Sequence, residues 1–524
     1  MHGLLLAAFV FTGQPSQPES FDVLIENGRV LDGTGNPWYR ADIAIRSGRI
    51  AAIGHLDMAR ADVVINASSL YVAPGFIDVH SHSGEGLLRP ELKDAKPILA
   101  QGVTTLVLNP DGGGPWPLSQ QRLTYESQGI GVNVALLVGH GTLRQEVMGM
   151  EDRPPSDDEL EKMKSMVREG MRAGAFGLSS GLYYAPGSYA ETEELVALAK
   201  EVRPRGVYSS HIRDEGDYTV GLLAAVEEVI RIAEEAAVSG VVTHFKALGP
   251  DNWGKAVAAC VRIERARARG VSVWADQYPY AASGTSITGA LVPRWAEAGE
   301  TMPGGPTPLE ARLRHPPDRA RLRIEMQANL ERRGGAETLQ ISRHLADPSI
   351  EGETLAQLSR ERDQEPVDVA LDLLDAGGAS LVSFNMSEKD VAHIMQQDYT
   401  MTCSDGGLVP MGEGKPHPRF YGTFPRKIAR YVKETGVVSL AHAIRSMTSL
   451  PATVFGLEGR GLLRSGARAD VVVFDLESIR DRADYRDPHQ LAEGVTHVLV
   501  NGLFAVRDGA FTEALAGEVL RPSN

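Results

Sequence analysis

Between residues 76 and 404 the chain repeats one pattern: a short apolar segment, then usually a longer stretch with apolar residues at helical spacing. The segments 76–82, 104–110, 132–139, 176–181, 206–211, 240–244, 271–278 and 399–404 each have the length of one strand. Stretches such as DDELEKMKSMVREGMRAG and VGLLAAVEEVIRIAEEA fall between them. Strands that alternate with helices pair in parallel, because each helix carries the chain back to where the next strand starts. About eight such units predict an α/β fold of the (β/α)8 TIM-barrel type; a doubly wound sheet is the second arrangement that fits.

The spacing breaks once. From Tyr280 to Tyr399 the chain is rich in Arg, Glu, Gly and Pro and too long for one crossover. An insertion at about 285–345, lying as a lid over the barrel mouth between strands 7 and 8, is expected there.

Both ends of the chain alternate with period two instead. The runs FDVLIENGRVLDG, ADIAIRSGRIAAIG and ADVVINASSLYVAPG lead into the centre, and ADVVVFDLESI and HVLVNGLFAVRDG follow it. Asn27-Gly28, Ser47-Gly48 and Asn501-Gly502 read as two-residue hairpin turns. Residues 21–74 and 456–524 are therefore expected to pair into one small β-sandwich domain, with the barrel, 75–455, inserted between them.

A net charge of -15 excludes nucleic acid and anionic membranes as natural partners, since their phosphates are repelled. No stretch is long and apolar enough to suggest a membrane span. The two cysteines, Cys260 and Cys403, indicate no disulfide framework. Residues 1–20 hold a short apolar run, 4–11, like a signal-peptide core, but lack a positive start and a clean cleavage site. Cytoplasmic and exported locations both stay open, as does the oligomeric state.

Chemistry gathers at the ends of the expected strands, which is where barrel active sites lie. FIDVHSH ends the first strand with His80 and His82 at i and i+2, so both side chains point to one face and can share a metal ion. The second ends in Asn109-Pro110-Asp111, ahead of the glycine run Gly112 to Gly114. The fifth, SSHIRDE, carries His211; the sixth, VTHFKALG, carries His244 and Lys246; the eighth, TCSDGG, carries Asp405. Each residue alone is more often an ordinary hydrogen-bonded side chain. Four histidines and two carboxylates together suit one or two divalent, zinc-like ions.

At this point the sequence resembles the amidohydrolase superfamily and, within it, the N-acyl-D-amino-acid deacylases, or D-aminoacylases. The motifs that carry the resemblance are APGFIDVHSH, QGVTTLVL, SSGLYYAPGSYA, SSHIRDEGD, THFKALG, DQYPYAASGTS, CSDGG, HPRFYGTFPR, MTSLPATVFGLEGRG and ADVVVFD. They run in family order from about residue 21 to 520. The resemblance implies that His80 and His82 hold one metal position, that His211 and His244 hold the other, and that Asp405 contacts the attacking water as catalytic base. Asp111 departs from the pattern: the family usually has cysteine there, within Gly-Asn-Cys-Gly, as a zinc ligand. Carboxylate is a harder donor than thiolate but can also bridge. AFGLSSGL, the fourth strand, has no lysine of the carboxylated kind found elsewhere in the superfamily, which leaves Asp111 as the candidate bridge.

The implied reaction is zinc-dependent hydrolysis of the linear amide of an N-acyl-D-amino acid, a small-molecule substrate, to a carboxylate and a free D-amino acid. Lys246, Tyr280 and Ser286 match family positions for the substrate carboxylate, with Ser283 as an alternative hydroxyl and Tyr183 or Tyr184 as a further donor. Arg294 is the expected selector of the substrate side chain from the lid. His140 with Arg144, and His417 with Arg419, are mouth residues or structural pairs. A cyclic amidase or dipeptidase of the same superfamily is the alternative enzyme. A non-catalytic scaffold fits poorly, because every expected ligand except the cysteine is kept.

Overall fold

A computed structural model describes residues 20–56, 59–300 and 304–523. The apolar run at 4–11 lies outside them. No helix among the described residues is long and apolar enough to cross a membrane.

The two ends of the chain share one nine-stranded sheet. Its N-terminal strands are β1 (Ser20–Val30), β2 (Tyr39–Arg46), β3 (Arg49–Gly54), β4 (Arg60–Asn66) and β5 (Tyr71–Pro74). The strand next in the chain, β6 (Phe76–Asp78), already belongs to the centre. Ser47 and Gly48, both at positive φ, make the tight turn from β2 to β3. Asn27-Gly28 does not turn the chain. It is a bulge inside β1, where the register with β2 shifts between Ile25 and Gly28. A Cβ on Gly28 would stand 2.6 Å from a methyl of Val72, so the packing needs glycine in a continuous strand.

The centre is built from parallel strands. β6, β7 (Val103–Leu108) and β8 (Asn133–Leu136) form a three-stranded sheet. β9 (Val138–Gly139), β10 (Gly177–Gly181), β11 (Val207–His211), β12 (Ser239–Val242) and β13 (Val273–Gln277) run side by side in a six-stranded one. The two sheets meet at Leu137, between β8 and β9, whose amide donates to Leu108. Helices such as Asp157–Arg172 and Leu222–Ala236 cover the outside. Ser156 and Glu159 close the first with a capping box, and the second buries Val226, Val229, Ile230 and Ala233 along one stripe.

The excursion after β13 has a sheet and a core of its own. β14 (Ser283–Ser286), β15 (Leu339–Arg343) and β16 (Ser380–Ser383) are antiparallel and pack with Ile287, Leu291, Leu322, Met326 and Leu371. Ser283 pairs with Ser383, so entry and exit are tied together and the excursion runs well past residue 345. The chain then returns as β17 (Thr400–Thr402) beside β13. The amide of Asp405 donates to the carbonyl of His80, and that of His82 to Gly406, which brings the last parallel strand against the first. β18 (Val471–Phe474), β19 (Val495–Val500), β20 (Leu503–Arg507) and β21 (Ala510–Phe511) complete the terminal sheet, with β18 antiparallel to β5. Asn501-Gly502 turns β19 into β20.

Candidate metal centre

β6 ends at Asp78, so His80 and His82 stand on the bend beyond the strand rather than on it. Asp78 fixes that bend: its buried carboxylate accepts from the amides of His80 and Ser404 and from the Ser404 hydroxyl. Burial pushes this carboxyl up to about 6 against those hydrogen bonds. β7 ends in a tight loop held by the side chain of Asn109, which bonds Gln121 and the Leu137 carbonyl. Asp111 leaves that loop at φ 55°, and a Cβ on the next residue, Gly112, would lie 2.8 Å from the Gly181 amide. Only glycine lets the loop settle over β10 and aim Asp111 inward.

Asp111 is the hub. Its Oδ1 lies 3.2 Å from His80 Nε2, 3.6 Å from His211 Nδ1 and 3.5 Å from His244 Nε2. Its Oδ2 lies 3.3 Å from His82 Nε2. Asp405 Oδ1 sits 3.2 Å from His82 Nε2 and 3.7 Å from His80 Nε2. Two donor groups result, His80/His82/Asp111/Asp405 and Asp111/His211/His244, sharing one carboxylate. Both ring nitrogens of His80 and of His211, and Oδ1 of Asp111, are buried without a hydrogen-bond partner. Buried polar atoms left so cost free energy unless something else satisfies them. Imidazole and carboxylate donors converging in this way fit a divalent cation of the zinc kind.

The electrostatics are split: against burial, the carboxylates of Asp405 and Asp111 push His82 up to about 10 and His244 up to about 9. Burial alone would raise the Asp111 carboxyl, but His80 and the histidines opposite hold it well below the usual carboxylate range. Burial would likewise raise Asp405, and Arg419 first among its neighbours overrides it. His211 is held below its ordinary value, chiefly by burial, and so keeps a lone pair to offer.

A cavity of about 980 Å³ opens over these groups, lined among others by His82, Asp111, Tyr183, Tyr184, Lys246, Tyr278, Arg333 and Arg419. Lys246 reaches it, but its ammonium is bound to Glu215 and lies 2.8 Å from His244 Nδ1. Glu215 also approaches His211 Nε2 at 3.8 Å and His244 Nδ1 at 3.1 Å. Sequence reasoning missed Glu215 as a partner of the two histidines, although it stands four residues after His211 in SSHIRDE. Tyr183 stacks 5.3 Å from the His211 ring and accepts a hydrogen bond from the buried Arg333. Ser283 lines the cavity too, paired with Asn385.

Several expected residues sit elsewhere. Tyr280 does not line the cavity: β13 stops at Gln277, Pro279 intervenes, and the Tyr280 hydroxyl points at the Pro418 carbonyl beside His417. Tyr278 takes the cavity position. Ser286 caps the helix Ile287–Leu291, its hydroxyl accepting from the Gly289 amide, and is turned away. Arg294 lies behind Tyr183, 4.5 Å over its ring, bonded to Gly289 and Val292 carbonyls and paired with Glu297. His140 and Arg144 both bind Glu194 in a sealed pair rather than at the mouth. His417 and Arg419 do reach the cavity, and Arg419 grips Asp405.

Known proteins are similar along almost the whole chain. N-acyl-D-glutamate deacylase from Alcaligenes xylosoxydans xylosoxydans is 36% identical over 96% of this chain and 97% of that protein. D-aminoacylase from the same organism is 35% identical over 96% and 98%. The crystal structure of N-acyl-D-glutamate deacylase from Bordetella bronchiseptica, complexed with zinc and a phosphonate mimic of the tetrahedral intermediate, superposes with a TM-score of 0.80. It is 34% identical over 96% of this chain and 100% of that one. A family model described as the amidohydrolase family matches residues 389–506. With relatives this similar along almost its full length, the chain belongs to the amidohydrolase family, in its D-aminoacylase branch.

Proposed function

We propose that the protein is a metal-dependent deacylase that hydrolyses N-acyl-D-amino acids to a carboxylate and a free D-amino acid. The observation that carries this reading is Asp111, one carboxylate shared by His80 and His82 on one side and His211 and His244 on the other, with both ring nitrogens of His80 and of His211 buried and without a protein partner. His80, His82 and Asp405 would hold one divalent ion and His211 and His244 the other, with Asp111 between them. When bound, such an ion lowers the pKa of a water molecule and polarises the scissile carbonyl.

The side chains divide the remaining work. Asp405 is the general base: its Oδ1 faces the histidines and accepts the proton of the attacking water, then passes it to the leaving nitrogen. Arg419 holds the other oxygen and so fixes the orientation of the carboxylate. The substrate's α-carboxylate meets Lys246 and the hydroxyl donors Tyr278 and Ser283, with Tyr183 or Tyr184 over the acyl carbonyl. Glu215 holds His244 and Lys246 in place.

The eight parallel positions are read as a closed (β/α)8 barrel, joined at Leu137 and by the His80–Asp405 and His82–Gly406 backbone bonds. Residues 283–383 act as the lid, and 21–74 with 456–524 as the terminal β-domain around a barrel of 75–455. The test is amine release from N-acetyl-D- and N-acetyl-L-amino acids by the metal-loaded protein. Turnover of the D series alone supports the reading; turnover of hydantoins without it sinks it.

A further inference from the structure

We infer that the substrate carries a second carboxylate besides its α-carboxylate, and that Arg333 binds it; the inference rests on the deacylase reading above. Arg333 follows the helix Pro316–Arg332 in the excursion after β13, lines the cavity and is 1% exposed.

Its partners are all neutral. Nε donates to the Ala290 carbonyl at 3.1 Å, Nη1 to the Ser383 hydroxyl at 3.2 Å and Nη2 to the Tyr183 hydroxyl at 3.1 Å. The Asn385 amide, turned oxygen-first, adds another neutral acceptor at 3.2 Å, and the Tyr218 ring lies 5.8 Å from the guanidinium. The other lysine and arginines that line the cavity are paired: Lys246 with Glu215, Arg343 with Glu413, and Arg419 with Asp405. Among the described residues Arg333 forms no such ion pair. A buried cation without a counter-charge is costly, and a planar fork of donors at a cavity wall is what a carboxylate satisfies.

The α-carboxylate is not that anion. It is tied closely to the scissile nitrogen and so stays beside the metal centre, where the Lys246 ammonium lies 2.8 Å from His244 Nδ1. Arg333 is set off from His211 by a tyrosine, whose ring is 5.3 Å from the imidazole and whose hydroxyl carries the guanidinium. A carboxylate farther out along the substrate, at the end of the amino-acid side chain or of the acyl group, suits that place.

The experiment compares kcat/KM of the metal-loaded protein for three acids and their neutral amides. The pairs are N-acetyl-D-glutamate with N-acetyl-D-glutamine, N-acetyl-D-aspartate with N-acetyl-D-asparagine, and N-succinyl-D-leucine with its succinamide. A charge-assisted hydrogen bond of this kind is worth about ten- to hundredfold. The expected result is a preference of at least tenfold for the acid in one pair, and that pair shows which end of the substrate carries the charge. In Arg333→Met and Arg333→Gln the same ratio should fall at least fivefold. Reading it within each variant cancels any general loss of activity, and the wild-type series stands whether or not the variants fold. A ratio below tenfold in every pair, or one unchanged in a folded variant, overturns the inference and leaves the deacylase reading intact. No turnover of any N-acyl-D-amino acid overturns both.

Discussion

Arg419 Nη1 lies 2.7 Å from Asp405 Oδ2, which leaves Oδ1 alone to face His80 and His82. The carboxylate is thus gripped on one side by a guanidinium and open on the other to the metal centre. Asp405 also sits at φ 49°, with its amide bonded to the His80 carbonyl, so its direction is set by backbone as well as side chain.

Asp405→Asn keeps that shape but cannot take a proton. Its kcat should fall by about two to four orders of magnitude, with fold and tightly held metal kept. Steady-state kinetics beside circular dichroism and elemental analysis check this. A near-wild-type rate at neutral pH leaves the mechanism without its base.

Asp111→Ala removes the carboxylate common to both donor groups and should cost at least tenfold in metal affinity, read by competition with a chromophoric chelator. Asp111→Cys restores a soft ligand at the same place and should retain zinc. An Asp111→Ala protein with unchanged metal content and rate would show the aspartate to be a turn residue only.

Lys246→Ala strips the buried Glu215 carboxylate of its cation, so it should lower stability by about 3 kcal/mol as well as raise KM for N-acyl amino acids. Adding Glu215→Gln should recover much of the stability but none of the KM. If Lys246→Ala raises KM equally for the matching amino amides, the ammonium does not read the substrate carboxylate.

Lys427 is buried outside the site, its ammonium donating to Thr402 and Ser446 hydroxyls, and burial lowers it to about 7 from an ordinary value near 10.5. Between those values the unfolded chain binds the proton more readily than the folded one, so stability rises with pH across that window. Lys427→Met should flatten the rise, with its largest relative gain, up to a few kcal/mol, below pH 7. Urea denaturation at pH 6, 8 and 10 measures it; parallel slopes for the two proteins would refute the assignment.

Much of the site could be read one residue at a time. His80, His82, His211, His244 and Asp405 were identifiable because each stands at or just past the end of a strand in the alternating βα pattern, and parallel strands bring their ends together. The hairpins at Ser47-Gly48 and Asn501-Gly502 were equally local. Asn27-Gly28 was not, because the same dipeptide serves a turn or a bulge, and Val72, far along the chain, decides which.

The sequence by itself determined the alternation of strands and helices, the kind of side chains offered to a metal, and their positions at or near strand ends. Only the tertiary structure decided that Tyr278 rather than Tyr280 faces the cavity and that Lys246 is held by Glu215. It also decided that Arg419 grips Asp405 and that Arg294 stands behind Tyr183. The reason is physical. Within a strand the direction of a side chain follows from its position in the period, but beyond the strand's end it follows from contacts made across the chain. The bond from Ser404 to Asp78, 326 residues apart, is one such contact, and no local pattern encodes it.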